Sequence, residues 1–235
     1  MRALAGAEFR LLARSPFAIV MAGLLPTAVG LLIVWAEQDT GRAGWGGAAG
    51  LLLVTLVAFT AYTGGTTTLA ARRQQFVLKR LRMSGARDAT ILGAVILPLG
   101  ALTLVQAALL VGILSAAGHG PSQPWLLAVA AVAGTAAGSV LAIATAVVTP
   151  TPELAQLTTS PIALAFFGGG LWAVRTPPAE VSWWMLAVPG VPVTQLARAA
   201  WDGGPGVLAA IVAVISLSAA LAPCAVRVFA WDPRR

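Results

Sequence analysis

From Ala89 to Pro152 the chain runs for 64 residues without one Asp, Glu, Lys or Arg. About a quarter of the residues of a soluble domain are charged, so a stretch this bare and this apolar points to lipid as its solvent. The whole chain agrees: 58% of its 235 residues are hydrophobic and 10% charged, with a mean hydropathy of +0.87. Six runs are near the ~20 residues needed to cross a hydrocarbon core: Pro16–Ala36, Trp45–Ala71, Ala89–Ala117, Trp125–Val148, Leu154–Val174 and Gly206–Val226. The first ends on Val34-Trp35-Ala36, a faint likeness to a signal-peptide cleavage site. Its apolar core is too long and carries Pro26 and Trp35, so it reads as a retained helix. The expected fold is an all-α integral membrane protein, one domain over residues 1–235 with six transmembrane helices.

Charge sets the orientation. Six crossings put both termini on one side, which collects Arg2, Arg10, Arg14, Arg72, Arg73, Lys79, Arg80, Arg82, Arg87, Arg227, Arg234 and Arg235. The other side holds Arg42, Arg175 and Arg198. Twelve against three makes the first side cytoplasmic, in the plasma membrane, with both termini inside. Trp35, Trp45, Trp125, Trp172, Trp183, Trp184 and Trp201 fall at outer ends or in outer loops, and Trp231 inside, as headgroup-seeking rings should. The formal charge of +7 is therefore spent on orientation, and no nucleic-acid partner is expected. The lone Cys224 excludes a disulfide within the chain and reads as a packing residue.

Residues 1–15 project Arg2, Arg10 and Arg14 on one arc and Leu4, Phe9, Leu11 and Leu12 on the other, as an interfacial helix would. An unstructured basic leader is the alternative. The inner loop Thr149–Glu153 is tight: Thr151 is placed as an N-cap, Pro152 as the first helical residue, and Glu153 favours the positive helix start. The outer segment 175–204 is apolar yet broken by Pro189, Gly190 and Pro192. It is read as a re-entrant hairpin of two short helices before the last crossing, its break held against protein because bare backbone is not tolerated in lipid. A surface helix followed by a loop is the alternative.

Several chemistries have no residues to carry them. There is no Gly-x-x-x-x-Gly-Lys-Ser/Thr loop for ATP, no His-Glu-x-x-His, and a single histidine, His119, in an outer turn. The chain is not expected to be an enzyme or to bind a metal or cofactor. The crossings hold no carboxylate for ion coupling and no voltage-sensing arginines. Uphill transport would need energy delivered from outside the bilayer.

The segment 72–88 could receive it. On a helical wheel Val77, Leu78 and Leu81 form one side; Arg72, Arg73, Lys79 and Arg80 form the other, with Phe76 and Met83 among the charges. A basic face with two apolar knobs suits an acidic groove on a partner. A loop that merely obeys the positive-inside rule or binds anionic lipid is the alternative.

The order of elements resembles the permease subunit of an ABC-2 type exporter. In that family the segment after the second crossing often reads Glu-Arg-Glu-x-Gly-Thr-Leu-Lys-Arg-Leu-Arg. Leu78-Lys79-Arg80-Leu81-Arg82 matches its second half; Arg72 and Gln74 stand where glutamates would, and Phe76 replaces glycine. Val188-Pro189-Gly190-Val191-Pro192-Val193-Thr194 is similar to the family's outer hairpin. The resemblance implies a second permease subunit, identical or related, and a separate cytoplasmic ATPase carrying ATP and Mg. It also implies that the basic helix is a coupling helix docked on that ATPase through Arg72, Arg73, Phe76, Lys79, Arg80, Arg82 and Met83, with Thr151 and Glu153 as a second contact.

Small residues at Gly46 and Gly50, Gly134 and Gly138, and Gly168–Gly170 allow close helix approach, within the subunit before any dimer seam. Tyr62, Thr66, Gln106, Gln156 and Thr159 are the polar candidates for a pathway. So few polar groups suit an amphipathic or hydrophobic cargo, such as a drug, a lipid-like compound or a peptide antibiotic. A motor-free channel, scaffold or immunity protein is the competing function, with an ion-coupled carrier behind it.

Overall fold

The computed structural model describes residues 20–40, 44–229 and 231, with Gly6 and Arg10 in addition. The interfacial helix expected over residues 1–15 otherwise lies outside the described residues, as do the start of the first crossing, Arg42, Arg234 and Arg235. A π-helical stretch Val20–Leu24 runs into α1 (Leu25–Thr40). Then come α2 (Gly44–Gln74), α3 (Val77–Met83), α4 (Asp88–Ala116), α5 (Pro124–Val148), α6 (Ala155–Arg175), α7 (Val191–Asp202) and α8 (Val207–Val228). No strand occurs among the described residues. Helices α2, α4, α5, α6 and α8 are each long and apolar enough to cross a membrane, giving five candidate spans.

Local chemistry sets the ends. Asp88 opens α4, where its charge meets the positive helix start, and Pro124 opens α5, where a missing N–H costs nothing. Helices α5 and α6 stop at Thr149-Pro150 and Thr176-Pro177, since proline disfavours a helical residue before it. Within α2 the residues Val57–Thr63 widen into a π-helix.

Contacts between remote residues define two ends of the bundle. At one end Arg73 reaches Ala146 and Thr149, while Arg82 meets Asp88 and Trp231. At the other, Trp45 stacks on His119, Trp201 Nε1 donates to the His119 carbonyl at 2.9 Å, and Arg198 reaches Ala173 and Thr176. We call these the basic end and the tryptophan end.

Between them the helices meet through glycine. Lipid gives helices no hydrophobic reason to associate, so close backbone approach must supply the packing. A Cβ at Gly46 would lie 2.9 Å from Arg198 Cα, and one at Gly50 3.0 Å from Thr194 Cα, so α7 lies directly on α2. Gly134 receives Val193, and Gly138 receives Val57 at 2.9 Å, closing α5 on α7 and α2. Both glycine pairs thus seat contacts within this chain. The main core gathers Leu56, Val57, Tyr62, Ala130, Phe166, Val193 and Leu196.

The outer segment differs from its expected form. Its first arm is not a helix but two single 3₁₀ turns, Pro178–Glu180 and Met185–Ala187. Its second arm is α7, buried from Val191 to Ala197. Gly190, at the break, takes φ 95° and would place a Cβ 2.1 Å from the Phe166 carbonyl oxygen, so only glycine fits. Cys224, expected to pack, is exposed on α8.

Candidate docking site

The basic segment is two elements rather than one helix. Helix α2 continues to Gln74; Gln75 and Phe76 then break it, and α3 begins at Val77. Phe76 has φ 58°, the one positive φ outside glycine among the described residues. A left-handed conformation costs a side-chain-bearing residue about 1–2 kcal/mol. Phe76 occupies the position where the coupling-segment pattern carries glycine, which adopts this turn without that cost.

The turn resets the helical phase. Phe76, Lys79, Arg80 and Met83, spaced at 0, 3, 4 and 7 along α3, are all exposed, with Met83 at 73%. They form one face: an apolar knob at each end with two cations between. The opposite face carries Leu78, fully buried in a second apolar core with Leu69, Ile91, Leu92, Ile143, Phe229 and Trp231. Short as it is, α3 is therefore held on the bundle by packing, with Arg80 Nη2 donating to the Gln75 carbonyl at 2.9 Å. Arg72 Nη1 donates to Gln75 Oε1 at 3.1 Å and is half-buried.

Arg73 is not on that face. It is 0% exposed, and its guanidinium donates through Nη1 to the Ala146 carbonyl at 2.8 Å and through Nη2 to the Thr149 carbonyl. Those oxygens belong to the last turn and C-cap of α5, which lack intrahelical partners. The expected wheel assumed one unbroken helix; the last turn of α2, not α3, carries Arg73 and turns it inward.

Arg82 is partly committed as well. Its Nε lies 3.2 Å from Asp88 Oδ1, and its guanidinium sits 5.0 Å over the Trp231 ring. Trp231 meets Phe229 edge-on, both buried, so the stretch after the last crossing closes over the root of α3.

The turn between α5 and α6 lies beside Arg73. Regular helix starts at Ala155 rather than Pro152, after a turn in which Leu154 N–H donates to Thr151 Oγ1 at 3.4 Å. Thr151 is half-buried and Glu153 exposed. A hydrogen bond from the Thr151 hydroxyl, with one from its own backbone N–H, holds the Glu153 carboxyl below the usual range. Thr149 Oγ1 and Thr158 Oγ1, 2.7 Å apart, join the turn to α6.

Four of the five polar pathway candidates carry hydrogen bonds within the chain. Tyr62 Oη pairs with Thr145 Oγ1 at 3.0 Å, Thr66 donates to the Tyr62 carbonyl at 2.9 Å, and Thr159 to the Ala155 carbonyl at 2.7 Å. Gln106 donates to the Gly23 carbonyl and to Thr27 Oγ1 and accepts from Thr60, tying the start of the described chain to α2 and α4. Gln156 is exposed. A cavity of about 510 Å³ lies elsewhere, between α2, α4 and α5 toward the tryptophan end, with Leu52, Leu104, Leu110, Leu127 and Val132 in its wall and Ser115 its one polar side chain.

The sequence reading missed Asp88, Trp231, and the role of two short repeats. Ala146-Val-Val-Thr149-Pro150 and Ala173-Val-Arg-Thr176-Pro177 end successive crossings, and an arginine binds the Ala and Thr carbonyls of each: Arg73 the first, Arg198 the second. In both, the threonine hydroxyl also donates to the carbonyl four residues back. The Thr-Pro stop was readable as a helix end; which arginine answers each was not.

No curated protein and no solved structure matches the chain. A family model described as "ABC-2 family transporter protein" matches residues 37–222, most of the sequence, including the basic segment, the α5–α6 turn and the outer segment. That family implies an ATP-binding cassette partner in general terms. The chain is a multi-pass membrane protein that belongs to the ABC-2 transporter family.

Proposed function

We propose that this chain is the permease subunit of an ATP-driven exporter, and that its basic end docks on a separate cytoplasmic ATPase. The observation that carries the reading is the face Phe76–Lys79–Arg80–Met83, exposed on a helix whose other side is buried in the bundle. An element built this way presents charge to a partner and passes force into α2 and α4, which flank it. The charge asymmetry supports a cytoplasmic position for this end, and with it for both termini, in a plasma-membrane protein. A first crossing over Pro16–Ala36 would bring the five candidate spans to six, with the outer segment entering the membrane as a re-entrant element. Thr151 and Glu153 are the second contact. The subunit works with a second permease, and ATP and Mg reside on the partner.

The cavity's almost wholly apolar wall supports a hydrophobic or amphipathic cargo, since a charged solute would lose its hydration there without a compensating partner. Co-purification with a candidate ATP-binding cassette ATPase tests the assignment. Lys79→Glu with Arg80→Glu should abolish capture while membrane insertion and melting temperature stay unchanged. Undiminished capture by the double variant would remove the docking face from the account.

A further inference from the structure

A buried arginine must be answered by its surroundings, because an unpaired charge in a protein interior costs several kcal/mol. Arg73 is answered by the end of another crossing. Its side chain grips the Ala146 and Thr149 carbonyls, where the negative end of the α5 dipole favours a cation. Its main-chain carbonyl accepts from the N–H of Phe76, the first residue of the docking face, at 3.0 Å. From Thr149 the connection continues through the hydroxyl pair to Thr158 on α6. Phe76, Arg73, Thr149 and Thr158 thus form one bonded path from the docking face to the α5–α6 turn. Arg73 and Thr149 are both fully buried, and a close-packed interior shifts as a unit rather than stretching.

We infer that Arg73 is the positioning residue that makes α3 and the α5–α6 turn move as one body when nucleotide acts on the docked ATPase; the inference rests on the docking reading above. Arg198 provides the contrast. Through Nη1 alone it holds the equivalent pair of carbonyls, Ala173 and Thr176, at the end of α6, yet among the described residues no exposed basic helix follows it, so its contact serves to hold α7 on α6.

The experiment is hydrogen exchange on the permease–ATPase complex, with and without ATP, in the wild type and in Arg73→Lys and Arg198→Lys. At position 73 lysine keeps the charge and loses the two-nitrogen fork, so it cannot hold both carbonyls rigidly. In the wild type, exchange in residues 77–83 and 149–155 should respond to nucleotide together. In Arg73→Lys the response at 77–83 should persist while that at 149–155 falls about tenfold, within the usual range for coupling between sites. Arg198→Lys should leave both responses intact. A wild-type turn that ignores nucleotide while α3 responds overturns the inference, as does an Arg73→Lys turn that responds in full, or an equal loss in both variants. Should Arg73→Lys fail to assemble, the wild-type comparison decides alone. A wild-type permease that captures no ATPase overturns the docking reading, and this inference with it, which the capture assay records separately.

Discussion

The two ends of the bundle use the same device for different purposes. At each, an arginine from one helix closes the orphan carbonyls of a neighbouring crossing, at Ala146 and Thr149 or at Ala173 and Thr176. At the tryptophan end this closure sits among glycine contacts so tight that backbone meets backbone, at Gly46, Gly50, Gly169 and Gly190. At the basic end it sits under an exposed cationic face and a cap of Phe229 and Trp231. One end is locked by the absence of side chains, the other by large ones. A locked end resists change; an end held by side chains over a short helix can be pushed as a piece.

Four substitutions probe that contrast, each read from thermal melting of the purified permease and from capture of the ATPase. Gly190→Ala should be the most damaging, by about 4 kcal/mol, because it combines a strained φ with a Cβ driven into the Phe166 carbonyl. Survival at wild-type stability would mean that the tryptophan end is not locked. Trp231→Ala should cost about 3 kcal/mol through the lost core contact and should also weaken capture, since the root of α3 loses its cover. Capture unchanged at reduced stability would separate the cap from the docking face. Arg198→Ala strands two carbonyls and should cost about 2 kcal/mol, with capture intact. Phe76→Gly should have the smallest effect and the opposite sign, a gain of about 1 kcal/mol from relief of the left-handed turn. It should nonetheless weaken capture by removing an exposed knob. A loss of stability there would show that Phe76 packs rather than docks.

Much of the fold was legible before any coordinates. Uncharged runs mark where lipid must be, so the expected crossings and the helical spans agree to within a few residues from Gly44 onward. The break at Pro189–Gly190 was legible for a similar reason: proline and glycine there could serve no straight helix. The site was harder. Whether Arg73 or Arg80 faces outward depends on the helical phase, and one left-handed residue at Phe76 resets it, a turn that a phenylalanine does not advertise. Arg82 meets Asp88 across the turn between α3 and α4, and Trp231 beyond the last crossing, contacts that periodicity does not record. The polar residues in the crossings were readable as protein-facing, but not as already paired with one another.

The length of α2 has a consequence of its own. Its 31 residues span roughly 46 Å at about 1.5 Å per residue, against about 30 Å of hydrocarbon. A helix this long must tilt or stand proud of the membrane. Were it to stand proud at its basic end, it would act as a pedestal that lifts α3 beyond the headgroups into water. A motor seated there would be reached without sinking into the lipid surface, and its grip should vary little with the anionic lipid content of the bilayer.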